Sequence, residues 1–103
     1  MQSKKRLSIN LTDRDVRVLS GIGFGNADRQ KFKLEEADKK GLKVYVFVDP
    51  KILSINSSYF LSLFGESIRT LGEELFRDRY IFDCSTVIRE RCIEPGIKEA
   101  LKT

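Results

Sequence analysis

Residues 52–64 read ILSINSSYFLSLF, where an extended apolar stretch passes through two adjacent serines into a run of large apolar side chains. That order decides the fold. Serine is favoured where a helix begins, because its oxygen accepts a bond from a backbone N–H that has no partner inside the helix. The spacing predicts a helix from near Ser57 with Phe60, Leu61, Phe64, Ile68 and Leu71 on one broad face, stopped by Gly72. Just upstream, Val44-Tyr45-Val46-Phe47-Val48 shows no polar alternation, which predicts a central strand covered on both faces and ended by Asp49-Pro50.

Further out, Leu7, Ile9 and Leu11 alternate with Ser8, Asn10 and Thr12, the period of a half-buried strand. Val16 and Leu19 suggest a second short extended piece after a turn at Asp13-Arg14-Asp15. The glycines from Gly21 to Gly25 read as a flexible turn before Asn26, which predicts the N-cap of a charged helix ending at Gly41. Ala27, Leu34 and Ala37 share one face of that helix, while Phe32 points away from it, which fits either a wide helix flank or a partner contact. Tyr80, Ile81 and Phe82 form another strand. Thr86 to Ile93 fits either a helix capped by Ser85 or a strand, and Pro95 suits the first turn of a fresh terminal helix.

A chain of 103 residues, 41% hydrophobic and with two prolines, fits one domain over residues 1–103. The net charge of +4, from 19 basic and 15 acidic residues mixed along the chain, lacks the clustered stripe of nucleic-acid recognition. There is no histidine, and Cys84 and Cys92 stand outside any Cys-x-x-Cys spacing, so neither metal nor cofactor is expected. No export signal is legible, and the strongest apolar run, Val44 to Val48, falls far short of the ~20 residues that cross a bilayer. The expectation is a cytoplasmic protein with reduced thiols and no membrane span.

Catalytic patterns are missing as well. The glycine cluster lacks the Lys-Ser or Lys-Thr of a P-loop, a serine or cysteine nucleophile lacks a histidine base, and Glu35-Glu36 and Glu73-Glu74 read as solvated faces. The chain reads as no enzyme. Helix capping occupies one serine of the pair, which leaves its neighbour on the first turn. A phosphate of about −1.5 to −2 charge there would meet the positive end of the helix dipole.

The segment VFVDPKILSINSSYFLSLFGESIRTLGEELF, together with the order of elements, resembles the STAS-like family of bacterial domains, domain of unknown function 4325. In this resemblance Asp49 matches a strand-end aspartate, Ile55 an apolar position, Ser57 and Ser58 a small polar pair, and Phe60 and Gly65 helix positions. More distantly, the serine pair is similar to a segment of the STAS anti-sigma factor antagonists, in which the second serine is phosphorylated. The resemblance implies an α/β fold of STAS type, with a mixed central sheet of about four strands and three helices. It also implies a non-catalytic protein-interaction or signalling module. Ser58 would be the phosphoacceptor and Ser57 its neighbour; Asn56 stands where those relatives have aspartate, and Tyr59 where they have glycine. The implied partner is a protein, an ATP-binding kinase-like regulator, with Asp49, Asn56, Tyr59, Ser62 and Phe32 as candidate contacts. Two alternatives stand beside this reading. One is weak nucleic-acid binding through Lys4, Lys5, Arg6, Arg89 and Arg91; the other is a homodimer through Phe32 and the sheet edge.

Overall fold

A computed structural model describes residues 6–12 and 18–102. Its strands, in chain order, are β1 (Arg6–Leu11), β2 (Val18–Leu19), β3 (Lys43–Val48), β4 (Ser54–Ile55) and β5 (Tyr80–Asp83). β3 lies between β1 and β5 and runs parallel to both, with Leu7 opposite Val44 and Val46 opposite Phe82. β2 and β4 form a separate parallel pair. The protein is therefore α/β, but the single mixed sheet of about four strands is corrected to two small sheets, both parallel. Helical crossovers return each strand in its starting direction, which leaves no antiparallel pair among the described strands.

The expectation of a strand covered on both faces is also corrected. Val44, Val46 and Val48 are buried, while Tyr45 and Phe47 stay 36% and 40% exposed. Period-2 alternation is real here but invisible to hydropathy, because both sets of residues are apolar. The Arg6 guanidinium lies over the Tyr45 ring, 5.4 Å from its centre, and shields part of it.

The first helical region has two helices, α1 (Ile22–Phe32) and α2 (Leu34–Lys40). α1 starts directly after Gly21 (φ 104°), so Gly23 and Gly25 are helical and Asn26 caps nothing, against the expectation of a flexible turn there. Lys33, with φ 58°, separates the two helices, and Gly41 (φ 73°) ends the second as expected. Leu34 and Ala37 are buried, whereas Ala27 is exposed and Phe32 is half-buried against the core.

The long helix begins at Ser57, where the serine pair predicts, but the expected serine cap is corrected: Asn56 takes the cap position and no side-chain capping bond is made. The helix runs through α3 (Ser57–Phe60), a π turn at Leu61–Gly65 and α4 (Glu66–Leu71) to a stop at Gly72. α5 (Glu73–Arg79) then leads into β5. At the C-terminal side the helical alternative holds: the Ile88 N–H donates to Ser85 Oγ at 3.1 Å and opens α6 (Thr86–Ile88). A second π turn, Arg89–Ile93, passes into α7 (Glu94–Lys102), so Pro95 sits inside a continuous path rather than at a fresh start. Proline cannot donate a helical bond, and a shifted turn just before it absorbs that loss.

Phe64, fully buried, is the centre of the core. Its ring meets Phe60, Phe82 and Tyr80 at centroid distances of 5.2, 5.3 and 5.8 Å, and Phe76 stacks on Tyr80 at 4.4 Å. Offset and edge-on arrangements of this kind contribute beyond the area they bury, by about 0.5–1.5 kcal/mol per pair. They tie the long helix to the covered face of the three-stranded sheet.

Candidate functional site

The end of the long helix that carries the serine pair is built from three converging pieces. β4 delivers the chain to Asn56, whose N–H donates to the Leu19 carbonyl at 2.8 Å, and β2 holds β4 in place from the other side. The start of α1 completes the site, because the Gly21 N–H donates to Ser58 Oγ across a long 3.4 Å. Ser57 and Asn56 are exposed and Ser58 is half-buried. Asn56 occupies the cap position in extended conformation, yet its side chain makes no capping bond. Neither serine is sealed inside the fold.

One turn further on, the helix widens into its π turn. This turn shifts the carbonyl pattern, and the Ser62 hydroxyl reaches the carbonyls of Ser58 at 2.9 Å and Tyr59 at 3.1 Å. Ser62 is thus a structural donor directly behind the serine pair. Tyr59 is buried and its hydroxyl donates to the Asp28 carboxylate, which corrects its expected role as a surface contact. An aromatic beside two serines reads as surface until a partner for its hydroxyl is known.

Asp49 lies at the C-terminal end of β3 and accepts from Thr12 Oγ1 at 2.9 Å and from the Lys51 N–H at 3.0 Å. The Lys51 N–H, followed by the Thr12 hydroxyl, holds its carboxyl below the ordinary carboxylate value. The geometry makes Asp49 a turn-former. Phe32 sits well away from the serines, beside β1, with Lys31 Nζ 5.6 Å from its ring centre.

Several residues at this end escaped the sequence reading. Val18, Ile22, Phe24 and Leu53 are 44%, 62%, 71% and 63% exposed. Val18 pairs with Ser54, Leu53 adjoins Ser54, and Ile22 and Phe24 follow Gly21, so all four are carried by the elements that frame Ser58. For Ile22 and Phe24 the signal was hidden by glycine. Once the segment from Gly21 to Gly25 is read as a helix start, Ile22 and Phe24 fall on its first turn, where both stay exposed.

Of the basic residues of the nucleic-acid alternative, Arg6 and Arg89 do not converge. Lys4 and Lys5, like the turn at Asp13-Arg14-Asp15 and Val16, lie outside the described residues. Arg6 opens β1, whereas Arg89 donates to the Phe82 carbonyl at 2.6 Å near the far end of β5, and parallel strands place those two ends on opposite sides. Among the described residues no group of three or more His, Cys, Asp or Glu side chains could hold a metal ion, and no helix is long and apolar enough to cross a membrane. Comparison with protein-family models, with curated proteins and with solved structures finds no match to this chain.

Proposed function

We propose that this chain is a non-catalytic protein-interaction or signalling module of STAS type, switched by phosphorylation of Ser58, or of Ser57 beside it, at the start of the long helix. The observation that carries the reading is the solvent-facing helix start at Ser57, framed by exposed Val18, Ile22, Phe24 and Leu53. An apolar surface beside a modifiable hydroxyl suits a regulated dock, because a phosphate adds charge and bulk at its rim without disturbing the core. On Ser58 it would also displace the Gly21 contact and face the positive end of the helix. The partner is a protein, and an ATP-binding kinase-like regulator fits a site that must receive a phosphoryl group.

The test is incubation of the protein with host lysate and ATP, followed by mass spectrometry of the peptide spanning Ser54 to Arg69 and capture of partners by wild type and Ser58→Glu. Modification of Ser58 or Ser57, with weakened capture by the glutamate variant, is expected. An unmodified peptide together with unchanged capture overturns the reading.

A further inference from the structure

β1 closes one side of the three-stranded sheet: β3 pairs with one of its edges, and no described strand pairs with the other. Beside it runs a groove of about 460 Å³ whose wall includes Leu7, Ser8 and Ile9 in succession. Neighbouring residues of a strand point to opposite faces, so a cavity that touches all three meets the strand along its backbone edge. Phe32 and Leu42, both half-buried, make the groove's apolar wall. Charge at its rim is lopsided. Lys31, Lys33 and Lys40 stand there with Glu36, which is 3.1 Å from Lys40.

An open strand edge offers N–H and C=O groups to an incoming strand, an apolar wall accepts its alternate side chains, and a lysine rim selects for carboxylates. We propose that this groove docks an extended acidic segment of a partner protein, which adds as a further strand along β1. Its apolar side chains lie against Phe32 and Leu42, and its carboxylates meet Lys31, Lys33 and Lys40. A second copy of the chain is a poor occupant, because β1 reads RLSINL, which brings Arg6 and no acid, and self-pairing would crowd two lysine rims together. The surface is distinct from the serine pair and stands whether or not Ser58 is modified.

The experiment titrates the whole chain with a fluorescent eight-residue peptide of alternating Glu and Val, read by anisotropy, and with the matching Lys-Val peptide. Two further Glu-Val peptides carry N-methyl groups on one or the other alternate set of amides. Hydrogen exchange of Arg6 to Leu11 is followed in parallel. Saturable binding of the Glu-Val peptide is expected, with slowed exchange in β1, loss of binding for one N-methylated peptide only, and weakening by about tenfold or more in Lys31→Glu/Lys40→Glu. Absence of saturable binding up to millimolar peptide overturns the proposal. So does equal binding of the Lys-Val peptide, indifference to both N-methylation patterns, or protection of β1 that grows with protein concentration in the absence of peptide.

Discussion

Gly25 and Ser62 approach so closely that a methyl group on residue 25 would lie 1.8 Å from Ser62 Oγ and 2.7 Å from the Tyr59 carbonyl oxygen. The contact joins α1 to the π turn just behind the serine pair, where Ser62 already serves two carbonyls. Gly25→Ala is expected to destabilise the protein by about 2–3 kcal/mol, as overpacking of a closed contact does. Ser62→Gly in the same chain should recover only part of that loss, because the Tyr59 backbone cannot withdraw. Urea unfolding of the two single variants and the double variant gives the coupling; full additivity would show that the approach is looser than described.

A polar cluster under α2 sets an alkaline limit. Tyr80 donates to Asp38 at 2.7 Å, Ser67 also bonds Asp38, and Arg29 donates to Ser67 at 2.9 Å with its other nitrogen 3.7 Å from Asp38. Burial, above all, pushes the Tyr80 phenol above its ordinary value of 10.0. The unfolded chain then loses this proton first, so the contribution is fully present below about pH 10 and falls as pH rises beyond it. Tyr80→Phe should cost about 1–3 kcal/mol at neutral pH through the acceptor it leaves on Asp38. Its stability should also decline less steeply than wild type above pH 10, measured by urea unfolding across pH.

Lys33 is held in the left-handed region with φ 58°, between two helices. Glycine meets no Cβ penalty there. Lys33→Gly is expected to raise stability by up to about 1 kcal/mol, seen as a higher urea midpoint at unchanged slope. A loss of stability would show that the lysine side chain contributes more than its backbone costs.

Arg77 reaches Glu94 with two bonds of 2.8 and 2.9 Å and Glu73 with a third of 3.1 Å, linking α5 to α7. The Arg77 hydrogen bonds hold the Glu94 carboxyl below its ordinary range. A depressed carboxylate stabilises the fold above its unfolded value of about 4.5, and that contribution is lost as pH falls through the folded value. With both side chains about a third exposed, Glu94→Gln should cost no more than about 1 kcal/mol at neutral pH. The variant should also show a shallower acid limb than wild type in thermal unfolding below pH 5.

Element boundaries with a strong local cause were legible. The serine pair announced a helix at Ser57, Gly41 and Gly72 announced two stops, and Ser85 offered a cap that its oxygen does make. Gly21 to Gly25 misled because glycine costs about 1 kcal/mol in a helix interior, and at Gly25 a neighbour that needs the space explains it. That neighbour, Ser62, is 37 residues away in the chain.

What the chain determined by itself is whatever rests on local periodicity and on turn and helix-end residues: an α/β order of elements, a strand over Val44 to Val48 and the place where the long helix starts. Tertiary structure alone decided which apolar residues stay wet, namely Tyr45, Phe47, Ile22 and Phe24, and which polar ones go inside, namely Ser67 and the hydroxyl of Tyr59. The physical reason is that burial depends on what another segment brings to the same place. Asp28 reaches Tyr59 and Asp38 reaches Ser67 only after the helices have docked, and no spacing along the chain encodes either meeting.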